Sequence, residues 1–144
     1  MISTILVAID GSEHARRAAY YARDLARQTN ATLIMLVAVT LPSAVTVPPF
    51  DVVSITTSHP DSEQLAVVQA LMDELVADLG HGRAVPQVST GPVPAETIVS
   101  EAARLGADLI VVGARGLGAA ERFLLGSVSE RVVREADRPV LVVR

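Results

Sequence analysis

Several residue types that carry chemistry in other proteins are missing from this chain. It has no cysteine, which excludes disulfides, thiolate nucleophiles and zinc–thiolate centres. All twelve basic residues are arginine, so the chain has neither the lysine of a Walker A loop nor a lysine for Schiff-base chemistry. The net charge of −4 provides no basic surface for a polyanion, and we expect no nucleic-acid partner.

Long apolar runs and large rings are scarce as well. The longest apolar run, residues 33–39, is far shorter than the roughly 18 residues that indicate a membrane span. The amino-terminal stretch lacks the positive charge of a secretory signal, so we expect a cytoplasmic protein that does not enter a membrane. Half of the residues are hydrophobic but only 3% are aromatic, so the core must be packed from Val, Leu, Ile and Ala. At 144 residues, we expect one domain over 1–144.

Alternating strand and helix patterns predict an α/β fold. Short apolar runs predict strands at 4–9, 31–39, 85–90, 107–113 and 138–144, and helical stripes or caps predict helices at 12–30, 61–80, 94–106 and 127–136. The proline-rich residues 41–60 are expected to form a long excursion. This order predicts an open five-stranded parallel sheet with helices on both faces. Right-handed crossovers place the carboxyl ends of all strands on one rim, where ligands bind near the point at which the strand order reverses.

Capping residues predict where the first two helices begin and end. Ser12 is the predicted N-cap of the first helix, with Glu13 in its first turn. Asp61 or Ser62 caps the second helix, and Gly80 ends it. The predicted core face of that second helix comprises Leu65, Val68, Leu71, Met72, Leu75 and Leu79.

The spacing of the glycines in residues 113–127 allows two interpretations. Gly113 and Gly116 directly follow the fourth predicted strand, and Gly126 with Ser127 opens the next helix. The glycines either supply left-handed backbone for turns or let backbone N–H groups and a helix N-terminus meet a phosphate. Ser127 and Glu130 match a capping box, and a serine hydroxyl that caps a helix retains a hydrogen to donate to a ligand.

Other polar residues on the predicted rim also admit two interpretations. Asp10 follows the first strand and either caps the next helix or contacts a ligand, and Arg115 is either a solvated loop charge or a phosphate contact. The histidines His14, His59 and His81 lack the spacing of a metal site or a catalytic triad, so we expect them to be solvated.

Segments along nearly the whole chain resemble the universal stress protein family, namely "ILVAIDGS", "ADLIVVGARG" and "LLGSVSERVVREADRPVLVV". The nucleotide-binding branch of that family is marked by Gly, two residues, Gly, nine residues and then Gly-Ser or Gly-Thr. Gly113, Gly116, Gly126 and Ser127 satisfy this pattern. A second branch lacks the glycines and does not hold ATP, and this chain does not resemble it.

The resemblance implies a Rossmann-like sandwich of the adenine-nucleotide α-hydrolase type that binds ATP with Mg²⁺ across the rim. By position, Asp10 would meet the ribose or the metal, and residues 37–39 would line the adenine. Ala8 stands where family members often have proline. The residues expected to surround the nucleotide are Ala8, Ile9, Asp10, Gly11, Ser12, Val37, Ala38, Val39, Gly113, Ala114, Arg115, Gly116, Gly126, Ser127, Val128 and Ser129.

The final apolar strand predicts self-association. An edge strand exposes unpaired N–H and C=O groups, and pairing residues 139–143 with a twofold copy would satisfy them. The resemblance implies the same homodimer.

Three functions remain open at this point. The leading hypothesis is a cytoplasmic ATP-binding stress-response module that changes its contacts with a downstream protein, with no catalytic residue assigned. The second is a slow ATPase using Asp10 and magnesium, or an enzyme that phosphorylates its own Ser127 or Ser129. The third is a structural dimer without nucleotide. The sequence leaves the choice among ATP, AMP and cyclic AMP open.

Overall fold

Strands and helices alternate along the chain in the predicted order. The structure, a computed structural model, describes residues 1–40, 62–80, 82–115 and 125–144, so the excursion predicted at 41–60 lies outside the described residues. The elements are β1 Thr4–Ala8, α1 Glu13–Thr29, β2 Thr32–Thr40, α2 Ser62–Leu79, β3 Ala84–Gly91, α3 Pro94–Arg104, β4 Leu109–Gly113, α4 Ser127–Glu135 and β5 Val140–Val143. Within these ranges, no helix is long and apolar enough to cross a membrane.

The five strands form one parallel sheet in the order β3-β2-β1-β4-β5. The chain therefore adds strands on one side of β1 and then returns to the other side, so the order reverses between β1 and β4. Every strand ends at the same rim. This topology confirms the predicted fold class. It also places β3, which contains Pro86, at a sheet edge as expected.

Helices cover both faces of the sheet, which explains the nearly unbroken apolar strands. One core lies under α1 and α2 and takes Ile5, Val7, Leu33, Met35 and Val111 from the sheet. The other lies under α3 and α4 and takes Leu6, Ile34, Leu36, Ile110 and Val112. Because alternate residues of each strand face opposite cores, the sheet contributes side chains to both.

Helix α1 has the predicted cap and a buried face made of alanine. The Ser12 hydroxyl accepts a hydrogen bond from the Ala15 N–H at 3.2 Å, as expected for an N-cap. Ala18, Ala22 and Ala26 are fully buried. These side chains are short, so the backbone of α1 lies close to the sheet.

Helix α2 departs from its predicted core face at its amino-terminal end. Met72, Leu75 and Leu79 are buried as predicted, but Leu65 is 42% exposed. The first turns of α2 form one wall of an open cleft instead of packing closely on the sheet, with Glu63, Gln64 and Val67 among the residues that line it. The prediction for Leu65 is wrong for that reason.

Two charged side chains form hydrogen bonds to the backbone of loops at the end of the sheet opposite the rim. Asp108 accepts hydrogen bonds from the N–H groups of Ser3 and Thr4 and from the Ser3 hydroxyl, which hold the pKa of this carboxyl below its ordinary value. Arg138 donates to the carbonyls of Ala102 at 2.9 Å and Ala107 at 2.8 Å. Together these contacts join the starts of β1, β4 and β5 to the end of α3.

Candidate functional site at the carboxyl rim of the sheet

The turn between β1 and α1 places a carboxylate on the rim where the strand order reverses. Asp10 is exposed, and its Oδ1 accepts a hydrogen bond from the Ser12 N–H at 2.9 Å. Gly11 has a positive φ of 82°, which favours glycine at this turn. Since Ser12 is the residue that caps α1, Asp10 is not the helix cap. Its other carboxylate oxygen makes no hydrogen bond to the part of the chain that the structure describes.

A cleft of about 700 Å³ opens beside this turn. It lies between the end of β1, the end of β2 and the first turns of α2, and it is lined by Ile9, Asp10, Val37, Ala38, Val39, Thr40, Glu63, Gln64, Val67, Val68 and Leu71. The sequence predicted Ile9, Asp10 and residues 37–39 near a ligand. It missed the wall formed by α2, because the pattern of that helix indicated a core-facing stripe. A mostly apolar cleft with a few polar groups is the usual form of a small-molecule site.

The backbone of β2 presents an unpaired peptide edge to this cleft. Leu36 accepts a hydrogen bond from the Ile9 N–H at 2.8 Å, so the peptide groups of Leu36 face β1. Alternation along a strand directs the N–H and C=O of Ala38 to the same side. The ladder between β1 and β2 ends at the pair of Ala8 with Leu36, so no described strand lies beside Ala38 on the β1 side. Its donor and acceptor therefore point into the cleft.

Helix α4 begins one residue earlier than the predicted capping box requires. Gly126 is the N-cap, with φ −76° and ψ 157°, and Ser127 is the first helical residue. The Gly126 N–H donates to the Ala114 carbonyl at 2.7 Å, which fixes this residue at the end of β4, and the Gly126 carbonyl accepts from the Glu130 N–H. The capping-box prediction for Ser127 and Glu130 is wrong for this reason.

The first turn of α4 offers backbone donors at the rim. The N–H groups of Ser127, Val128 and Ser129 precede the first intrahelical hydrogen bond of α4 and have no acceptor among the described residues. The Ser127 side chain is exposed. The Ser129 hydroxyl is buried and donates to the Gly113 carbonyl at 2.6 Å. The two serines therefore face different surroundings, and Ser129 is poorly placed to receive a phosphoryl group.

Gly113 lies against the first turn of α1. A Cβ built on this glycine would lie 2.6 Å from the His14 carbonyl carbon and 2.8 Å from the Ala15 nitrogen. Among described glycines, positive φ is confined to Gly11, Gly80 and Gly106. Left-handed turn geometry therefore does not explain Gly113 or Gly126, and close packing of helix on strand explains Gly113. Gly116 lies outside the described residues.

Ser12 links the two sides of the rim. Its hydroxyl accepts from Ala15 and donates to the Arg115 carbonyl at 3.4 Å, so the start of α1 is joined to the segment after β4. Arg115 is half-buried. The expected contact between its guanidinium and a phosphate stays a prediction, as do the ligand contacts of Ala8, Gly11 and Ala114.

His14 is not the solvated side chain that the sequence suggested. It is half-buried, and its Nδ1 is buried without a hydrogen-bond partner in the described structure. The close approach of α1 to Gly113 brings this turn against the sheet, which no spacing in the sequence reveals. His59 and His81 lie outside the described residues. Within those residues, no group of three potential metal ligands occurs.

Comparisons with known proteins match the whole chain to one family. A family model described as the universal stress protein family matches residues 1–144. The Thermus aquaticus protein named "universal stress protein in QAH/OAS sulfhydrylase 3'region" is 39% identical over 145 residues, covering all of both chains. The solved structure of universal stress protein UspA from Lactobacillus plantarum has a TM-score of 0.79 at 30% identity, covering 99% of this chain and 98% of that one. A universal stress protein solved in complex with cAMP has a TM-score of 0.69 at 29% identity, covering 99% and 97%.

Proposed function

The chain belongs to the universal stress protein family, and from that premise we propose that it binds ATP with Mg²⁺ in the rim cleft and acts as a cytoplasmic nucleotide-responsive module. The observation that carries this proposal is an apolar cleft with a free peptide edge at the ends of β1 and β2, on the same rim of the sheet as the N-terminus of α4. The strand order reverses on the other side of β1, between β1 and β4. The cAMP complex of a 29% identical relative supports an adenine nucleotide as the ligand.

The cleft suits an adenine base. Val37, Val39 and Val68 supply apolar surface for the faces of the ring. The Ala38 N–H is a donor for the adenine N1, and the Ala38 carbonyl is an acceptor for the 6-amino group. An adenine bound by these two hydrogen bonds buries its N1 and its 6-amino group with both of them paired.

The amino terminus of α4 suits the phosphates. The amides of Ser127 and Val128 stand at the positive end of the helix dipole, and the Ser127 hydroxyl adds a donor. Gly126 has no side chain to keep a phosphate away from these amides. Because the chain has no lysine, backbone groups and arginine must supply the positive potential.

Asp10 fits a nucleotide-bound magnesium ion. Mg²⁺ is commonly held by one or two carboxylates together with substrate phosphates and water. Asp10 is exposed on the rim with one oxygen held by the Ser12 N–H, which orients the carboxylate. When bound, the ion neutralises phosphate charge that would otherwise repel Asp10. We assign binding, rather than turnover, as the activity of this site.

We also propose a homodimer through β5. The β5 strand is the sheet edge opposite β3, and its Leu141 is 38% exposed. Val133 of α4 is exposed as well. Antiparallel pairing of β5 with its twofold copy would satisfy the unpaired backbone edge and cover Leu141.

Titration calorimetry with ATP and Mg²⁺ tests the nucleotide proposal. We expect saturable binding to the wild type, and a loss of at least about tenfold in affinity for Gly126→Val, because the added side chain separates a phosphate from the first-turn amides. The backbone at Gly126 is extended, so valine is compatible with its φ and ψ. Titrations with AMP and cyclic AMP then rank the three nucleotides by their affinity for the protein.

Gly82→Val is the matched control, since a Cβ at Gly82 meets nothing within 4 Å. We expect its ATP affinity to equal that of the wild type. If the folded wild-type protein gives no saturable heat with millimolar ATP, the proposed ligand is wrong.

A further inference from the structure

We propose that Ser129 is a positioning residue: without touching the nucleotide, its hydroxyl holds the first turn of α4 against the end of β4, so that the first-turn amides face the phosphates. This inference rests on the proposed nucleotide binding. It assigns a role to a buried side chain that ligand contact does not explain.

The Gly113 carbonyl needs a partner that the sheet does not supply. The Ala114 N–H donates to the Val143 carbonyl at 2.6 Å, so the peptide groups of Ala114 face β5 and those of Gly113 face β1. The last recorded pair between β1 and β4 is Val7 with Val111, so the Gly113 carbonyl lies beyond the ladder. A buried carbonyl without a partner is costly, and the Ser129 hydroxyl provides the hydrogen bond at 2.6 Å.

Gly113 is a fixed point for this contact. Its Cα lies so close to the backbone of His14 and Ala15 that no side chain fits between them. Ser129 is only 6% exposed, so this hydrogen bond is shielded from water. The hydrogen bond therefore fixes the first turn of α4 relative to α1 and β4.

Two hydrogen bonds together define the orientation of the helix terminus. The Gly126 N–H donates to the Ala114 carbonyl at 2.7 Å and locates the N-cap. The Ser129 hydroxyl makes the second attachment three residues later, on a carbonyl of the adjacent residue of β4. Val132, which is fully buried in the core, holds the middle of α4, and the Ser129 hydrogen bond adds a second attachment of its first turn to β4. The Ser129 N–H remains available because the bond uses the side chain only.

Calorimetry with two ligands separates positioning from a general effect on folding. Adenosine carries the base and ribose but no phosphate, so its affinity reports the cleft and not the terminus of α4. We expect Ser129→Ala to weaken ATP binding by about tenfold, the loss that one buried hydrogen bond produces, and to leave adenosine binding unchanged. Ser129→Thr, which keeps the hydroxyl, is expected to restore ATP binding. If Ser129→Ala does not fold, Ser129→Cys replaces it with the same expectation, because a thiol is a weak donor.

Ser100→Ala is the control for the loss of a serine hydroxyl away from the rim. The Ser100 hydroxyl donates to the Thr97 carbonyl at 3.1 Å within α3, away from the rim, so its loss is expected to leave both affinities unchanged. Equal losses for ATP and adenosine in Ser129→Ala, or no loss for either, would overturn the positioning role while leaving nucleotide binding intact. A wild-type protein that binds neither ligand would overturn the proposed function and this inference with it.

Discussion

At the scale of single residues, Gly113 leaves no room for a side chain unless the backbone moves. An alanine methyl at this position would lie within 2.8 Å of three backbone atoms of His14 and Ala15. Backbone atoms in a packed helix do not move as a flexible side chain does. We expect Gly113→Ala to lower the free energy of unfolding by about 1–3 kcal/mol, measured by urea denaturation followed by circular dichroism.

Gly82→Ala is the control for the loss of a glycine as such, since the space around it is open. A change below about 0.5 kcal/mol is expected there. If the two variants unfold at the same urea concentration, close packing does not explain the glycine at 113.

The roles of individual residues at the rim were only partly predictable from the sequence. The spacing singled out Gly113, Gly116, Gly126 and Ser127, but it could not show which groups face a ligand. A shift of one residue rotates a helical side chain by about 100°, so the start of α4 decides where each serine points. The close approach of Gly113 to the first turn of α1 depends on contacts distant in sequence, and the burial of the His14 Nδ1 was likewise not evident from the sequence.

At the scale of elements, Arg138 completes the carboxyl end of α3. Its guanidinium donates to the carbonyls of Ala102 and Ala107 where the chain leaves the helix. Replacement by methionine keeps much of the side-chain volume but leaves these carbonyls without that donor. We expect Arg138→Met to destabilise the protein by about 1–3 kcal/mol in thermal or urea unfolding.

Arg134→Met is the appropriate comparison, because Arg134 is 67% exposed and its nearest carboxylate oxygen, on Glu135, is 3.9 Å away. A change within about 0.5 kcal/mol is expected for it. Equal destabilisation of the two variants would show that a general charge effect, and not the capping of α3, is responsible.

Element order and most boundaries followed from periodicity and capping residues, and the N-cap at Ser12 is an example. The amino-terminal turns of α2 were mispredicted because an apolar stripe does not reveal whether a helix packs closely on the sheet or borders a cleft. Val68 and Leu71 belong to the predicted core face, yet both line the cleft. The position of the helix relative to the strands decides this, and the local pattern does not contain it.

For the whole molecule, the β5 edge of the sheet is proposed to form the dimer interface, whereas the β3 edge is not. If β5 pairs with its copy, Leu141→Glu places charges against each other across the twofold axis and is expected to give monomers in size-exclusion chromatography with light scattering. Val85→Glu makes the same change on β3, where valine is also exposed, and is expected to remain dimeric.

A wild-type monomer at micromolar concentration, or a dimer that survives Leu141→Glu but not Val85→Glu, would contradict the proposed interface.

The α/β alternation alone predicted a parallel sheet whose strands all end at one rim, and the strand order confirms this sheet. Ligand binding at that rim stays a prediction. The use of β5 for self-association, which the apolar final strand suggested, also stays a prediction.

The alanine face of α1 sets the spacing between that helix and the sheet. Ala18, Ala22 and Ala26 are fully buried, and their small size allows the backbone at His14 to reach the end of β4. A bulkier residue at any of these positions would move the helix away from the sheet, and a side chain at Gly113 would require the same movement. Evolutionary change at these positions is therefore coupled: we expect homologues that enlarge the helix face to be those in which the glycine is also replaced.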